Sequence, residues 1–425
     1  MNRVANRPAC RERRARRRIT HRPSRHRRTA RRAIGSPVAG LLAVALALEA
    51  ALVAPAPAGA GAPPPREVTS GLGINQVAPV GASGLWAIVQ NEVRPSGGAQ
   101  RVEVTSDAGA TWRAVTPPGL AVDGATRYLT SVSALSTRHA AITYGAVSGA
   151  DRSYLATTSD AGRRWTRVGP LPANCSVQFV SPREGTCTVL GGAAGSMAVI
   201  IYRTANGGAT WRRVFASAPS TTTPPGSLPF GCDKTITFET ASTGWALFFC
   251  NAGSGAIIDA TTDGGATWSP RAVTPPRTIP EGGGGFTGPG VFRGARGAVP
   301  YVVGTQAAIY VTRNGGHSFA PVYPPGPPRP WAVDVISPTQ WRLTLGRQIL
   351  GTNDAGASWF RFTSTTVLRA TSYGRGAPPG GLVTFTTASD AWLLENAGGS
   401  NAVLLRSSDG GRSWSPRGSS RSGGG

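Results

Sequence analysis

Thr105-Ser106-Asp107-Ala108-Gly109-Ala110-Thr111-Trp112 is an eight-residue string that returns six more times, from Thr158, Thr204, Thr261, Thr312, Thr352 and Ser407. Each copy reads Ser or Thr, any residue, Asp or Asn, any residue, Gly, any residue, a mostly hydroxyl-bearing position and an aromatic. The acidic or amide position falls at Asp107, Asp160, Asn206, Asp263, Asn314, Asp354 and Asp409. The aromatic falls at Trp112, Trp165, Trp211, Trp268, Phe319, Trp359 and Trp414. Successive copies are 53, 46, 57, 51, 40 and 55 residues apart. A period of about 50 residues marks a solenoid, a propeller or an array.

Around the last string, four short β-rich runs alternate with breaks. Leu382–Thr387 is followed by Ala388-Ser389-Asp390, Ala391–Leu394 by Asn396–Ser400, Val403–Arg406 by the string itself, and a fourth run opens at Ser413. A second column, Trp86, Trp245, Trp341 and Trp392, aligns at the start of the second run. Four strands per repeat, seven repeats and no helical periodicity after residue 60 predict an all-β fold. It is a seven-bladed β-propeller of four-stranded antiparallel blades over residues 71–415. Each repeat holds all four strands, so little or no strand exchange is expected between the first and last blades. Residues 61–70 read as a linker and 416–425 as a disordered tail.

The string has the chemistry of a turn. An Asp or Asn side-chain oxygen accepts hydrogen bonds from nearby backbone N–H groups. The Gly permits φ > 0, the hydroxyl bridges the strand ends, and the aromatic packs back over the turn. Asn206 and Asn314 keep the oxygen and lose the charge, which suits a turn cap and not a catalytic acid.

The copy Thr262-Asp263-Gly264-Gly265-Ala266-Thr267-Trp268 resembles the Asp-box, or bacterial neuraminidase repeat. Proteins with this repeat include sialidases and other glycoside hydrolases, sortilin-type receptor domains, and photosystem II assembly and stability factors. With Gly244-Trp245-Ala246 about twenty residues before a box, the pattern is most similar to the last group. The resemblance implies that the boxes lie at the outer turn between strands three and four, away from a ligand site.

Composition bounds the rest. The formal charge is +24, but 14 of the 44 basic residues lie between Arg3 and Arg32. Past residue 60 there remain 30 basic and 18 acidic residues, and Lys234 is the only lysine. No lysine-rich patch or stacking motif points to nucleic acid. Residues 1–60 read as an export signal: a basic region ending at Arg31-Arg32, an apolar run from Val38 to Val53, and Ala58-Gly59-Ala60 as a cleavage site. The mature chain is then expected outside the cytoplasm, in the cell envelope or secreted, with membrane contact only through an uncleaved signal. Four cysteines remain, as suits an oxidising compartment. The pairing favoured is Cys175–Cys187 and Cys232–Cys250, each stapling a first strand to a second. The spacings do not fit zinc, and no metal or cofactor is expected.

Strand alternation places the boxes at the same end as the turns between strands one and two. The dissimilar loops Thr116–Arg127, Ser217–Cys232, Thr274–Gly290, Pro324–Trp331 and Thr363–Gly380 lie at the other end, where binding is expected. Arg277, Glu281, Arg329, Trp331, Arg369, Tyr373 and Arg375 are the candidates there. A sialidase would need an arginine cluster, a Tyr–Glu pair and an acid/base Asp. Its Phe/Tyr-Arg-Ile-Pro motif is missing: Arg277-Thr278-Ile279-Pro280 and Phe292-Arg293-Gly294 each break it. Glu92, Glu184, Glu239, Asp334 and Glu395 form no recognisable catalytic pair. The reading is an exported, monomeric, non-enzymatic module that binds another protein, as an assembly or scaffold factor. The alternative is a sialidase-like glycoside hydrolase or a module for cell-surface glycan.

Overall fold

The computed structural model describes residues 72–91, 99–118, 120, 127–146, 153–191, 197–217, 223–229, 232–250, 255–277, 284–304, 306–329, 331–368, 382–395 and 403–419. The expected signal, 1–60, and linker, 61–70, lie outside them. The chain forms a seven-bladed β-propeller. Blades 1, 2, 3 and 7 are four-stranded meanders, and each takes its strands in chain order. The first strands of blades 1 and 2, 2 and 3, and 6 and 7 touch, which places first strands toward the axis. The terminal blades exchange no strand.

The described core is divided among the blades. Seven hydrophobic clusters of described residues each lie between two neighbouring blades. The cluster of Ile74, Leu85 and Val89 with Trp392, Leu394 and Leu404 joins the first blade to the last and closes the ring. Polar contacts repeat the closure. Arg406 donates to Ala82 O at 3.0 Å, and Trp112 Nε1 to Arg417 O at 3.1 Å. A twisted sheet exposes two apolar faces, and radial packing buries both against neighbours.

Five features depart from the sequence reading. Residues Ser415–Ser419 form the fourth strand of blade 7, so the start of the expected disordered tail is paired backbone. Phe360–Leu368 is one strand, which removes Thr363–Leu368 from the expected loop. In blade 5 the first strand is split into Gly284–Phe286 and Val291–Arg293, and both pieces pair with Arg296–Val303. Ala272–Val273, beyond blade 4, pairs in parallel with Ser318–Phe319 of blade 5, a two-residue exchange between adjacent blades.

The fifth departure concerns the tryptophan column. Thr237 pairs with Trp245 and Thr384 with Trp392, but in blade 6 it is Asp334 that pairs with Arg342, and Val335 with Trp341. Trp341 is therefore one residue out of step. Strand side chains alternate in direction, so Trp341 faces back into the blade 5 side, among Ala298, Ile309 and Val311. Arg342 occupies the forward-facing position toward blade 7.

Candidate functional site

The boxes are built alike. In the first, Thr105 Oγ1 donates to Asp107 Oδ1 at 2.8 Å and accepts from Gly109 N at 3.0 Å. Thr111 donates from its amide at 2.9 Å and from its hydroxyl to the two Asp107 oxygens. Asn206 and Asn314 use Oδ1 in the same way and turn Nδ2 to Thr210 and Ser318. Each box also donates one backbone N–H to the turn between strands one and two of its own blade. Examples are Ala108 N to Ser83 O at 2.8 Å, Gly264 N to Ser242 O at 2.7 Å and Gly410 N to Ser389 O at 2.7 Å. Box polar groups are thus spent within the turn. The Ser358 hydroxyl and amide hold the Asp354 carboxyl down at about 2.

The box glycine does more than permit φ > 0. A Cβ on Gly316 would lie 1.8 Å from the Trp245 ring of the preceding blade, and one on Gly208 would lie 2.4 Å from Leu155. The position is a bearing surface between blades. Some box aromatics reach backwards too, as Trp165 Nε1 does to Val115 O at 2.6 Å. At the axis, side chains of first strands clasp the next blade's backbone. Gln76 Oε1 accepts from Val132 N at 3.1 Å, Gln178 bonds both N and O of Phe238 at 3.1 Å, and Asp334 Oδ2 accepts from Phe385 N. Burial pushes the Asp334 carboxyl up to about 6, against the opposing pull of the Phe385 amide and Arg342. Sequence reasoning missed these clasps, since an isolated Gln or Asp in a strand carries no sign of which backbone it meets.

The cysteine bridge Cys175–Cys187 is present, with Cα atoms 5.4 Å apart. Cys232 is also disulfide-bonded; the Cys250 side chain lies outside the described set. Among the described residues no His, Cys, Asp and Glu group is arranged to hold a metal ion, and no helix is long and apolar enough to cross a membrane.

Of the loop-end candidates, Glu281, Arg369, Tyr373 and Arg375 lie outside the described residues. Arg277 is exposed, with its guanidinium 4.6 Å from the centre of the Tyr323 ring and its amide donating to Tyr323 Oη at 2.8 Å. Arg329 is exposed, and its carbonyl accepts from Ala307 and Trp331. Trp331, expected on the loop surface, is instead a core residue, 5 % exposed between blades 5 and 6. The large ring went to the nearest apolar wedge. Of the carboxylates named for hydrolysis, Glu92 lies outside the described residues, and the other four are dispersed. Glu184 and Glu239 sit at turns of blades 3 and 4, Asp334 on the axial strand of blade 6, and Glu395 at the end of a blade 7 strand.

Several grooves lined by described residues open at the box end. Two flank the second box. One, about 350 Å³, is walled by Arg113, Arg138, Arg163 and Asp160; the other, about 340 Å³, by Leu135, His139, Arg164, Phe179 and Pro182. Arg138, Arg163 and Arg164 are exposed, and among the described residues none of them forms an ion pair. Leu135 is 40 % exposed. Asp160, on the ridge between, accepts from the Arg164 amide and the Thr158 hydroxyl, and the Arg164 amide leads in holding its carboxyl below the usual range. It is ionised at neutral pH and cannot deliver a proton. The arrangement places guanidinium forks beside an apolar wall.

No protein-family model matches the sequence, and no curated protein matches it. Solved structures do. One described as YCF48 bound to D1 peptide is 16 % identical with a TM-score of 0.46, covering 80 % of this chain and 95 % of that one. YCF48 from Cyanidioschyzon merolae is 14 % identical with a TM-score of 0.46, covering 80 % and 96 %. A structure from a study of two prolyl endopeptidases is 10 % identical with a TM-score of 0.52, covering 81 % of this chain and 49 % of that one. At such identities the likeness concerns fold alone, and what these comparisons show of the chain is that it is a β-propeller similar to these solved ones.

Proposed function

We propose that the chain is an exported Asp-box propeller that holds another protein, as an assembly or scaffold module. The observation that carries this reading is the pair of grooves beside the second box. Guanidiniums without ion pairs stand there next to exposed Leu135, and the one carboxylate between them is locked ionised in its turn. A rigid ring with its repeated polar residues self-satisfied leaves recognition to such non-repeating positions. The partner that fits presents carboxylates beside an apolar side chain. Arg277 and Arg329 at the loop end are the second surface to test, and the export signal and the Cys232–Cys250 pairing belong to the same reading.

The test is capture from the native cell envelope with the mature domain, read by quantitative mass spectrometry, beside a glycosidase panel. A partner retained by the native domain should be lost from an Arg138→Ala, Arg163→Ala, Arg164→Ala variant that unfolds at the native temperature. Loss from an Arg277→Ala, Arg329→Ala variant alone moves the surface to the loop end. Turnover of a glycoside would reverse the non-enzymatic reading.

A further inference from the structure

The wedge between blades 6 and 7 is built differently from three of its counterparts. Trp86, Trp245 and Trp392 each push an indole toward the next blade and are 0–3 % exposed. At the corresponding forward position blade 6 carries Arg342, 3 % exposed. A second side chain is missing as well: Gly351 stands before the sixth box, where Arg203 and Arg406 stand before the third and seventh. The Phe360 ring lies across that glycine, 2.3 Å from where a Cβ would be. What results is a groove of about 430 Å³ lined by Arg342, Phe360, Phe362, Asp409 and Arg412.

Its chemistry is specific. Phe360 and Phe362 lie parallel, 6.0 Å apart, with Arg342 5.0 Å from the first ring and exposed Arg412 4.1 Å from the second. Arg342 donates from Nη2 to Ala388 O at 2.9 Å and from Nη1 to Trp341 O at 2.9 Å and Thr352 O at 3.2 Å, while its Nε is buried without a partner. The contrast with Arg406 is direct. That arginine also clamps a carbonyl of the next blade, and Asp390 pairs with it at 2.5 Å. Arg342 has no such carboxylate within ion-pair distance among the described residues. Asp409 does not serve, because its oxygens are taken by Ser407 and Ser413 of its own turn. The groove thus holds two guanidiniums over two phenyl rings, in a slot that Trp86, Trp245 and Trp392 fill with an indole in three other wedges.

We propose that this groove binds a small aromatic carboxylate. The ring lies on Phe360 and Phe362, where an indole would otherwise be, and the carboxylate pairs with Arg412 above the buried Arg342 charge. A free aromatic acid and the C-terminal phenylalanine of a peptide share this chemistry. The experiment is calorimetric titration of the folded mature chain with indole-3-acetate, acetate, indole and a short neutral peptide ending in phenylalanine. Indole-3-acetate should bind one-to-one, with acetate and indole at least about tenfold weaker. Arg412→Ala, at an exposed position, should weaken binding about tenfold without moving the unfolding temperature. Tighter binding of the peptide than of the free acid identifies a chain end as the source and upholds the site. No saturable binding by either, equal binding of acetate, or an Arg412→Ala variant with native affinity overturns the proposal. Arg342→Met is measured alongside, with Arg412→Ala deciding if that variant does not fold.

Discussion

The wedge between blades 4 and 5 and the wedge between blades 6 and 7 occupy equivalent places in the ring and are filled by opposite means. In the first, Trp245 stacks on Phe292 at 4.2 Å and is sealed from the other side by Gly316. In the second, Arg342 and Gly351 replace bulk with charge and space, and a groove opens. The boxes at the two wedges are nevertheless the same turn. The repeat therefore fixes where blades end, and the residues that face the next blade decide whether a junction is closed.

Perturbing the filled wedge should have the largest effect. Trp245→Ala should cost about 3–5 kcal/mol in chemical unfolding, by loss of burial and a cavity. Arg342→Met in the open wedge should cost little or stabilise, because it removes a buried charge without a carboxylate. Gly316→Ala comes next, at about 3 kcal/mol or more, since φ is +79° and the new methyl would meet Trp245. Its neighbour Gly315, with φ +68° and open space around it, should tolerate Ala at about 1 kcal/mol.

The pH dependence separates the wedges more finely. Asp334 and Asp259 are both pushed up to about 6, in each case chiefly by burial. Each holds its proton more tightly folded than unfolded, where an ordinary Asp titrates near 3.8. Their contribution to stability is fully present below pH 3.8 and is lost as pH rises through 6. The box aspartates have the opposite sign and act below that window. Unfolding followed from pH 4 to 7 should show a decline that Asp334→Asn flattens by about 1 kcal/mol, discounted for partial exposure. The smallest effect belongs to the boxes: Ala355 has φ +59°, and Ala355→Gly should raise stability by up to about 1 kcal/mol.

Much of the architecture was legible in the sequence because it is local. The box encodes its own hydrogen bonds, so Asp263, Gly265 and Thr267 reveal a turn wherever they occur, and their period counts the blades. The first disulfide was legible because Cys175 and Cys187 bracket one hairpin. What the sequence concealed lies between repeats. Trp341 aligns with Trp245 by eye, but one residue of register turns it to the opposite face. Trp331 looked like a loop aromatic and is core. Arg342, Arg406 and Gln178 each act on a neighbouring blade's carbonyls or amides, and nothing in their own repeat announces it. The grooves depend on such contacts, so the candidate site was far less legible than the fold.

The claim that a forward-facing tryptophan closes a wedge and Arg342 leaves one open is tested most directly by titrating indole-3-acetate into Arg342→Trp. The new indole should fill the groove between blades 6 and 7, and the variant should fold and bind no indole-3-acetate. A folded variant that binds the acid with native affinity would contradict the account.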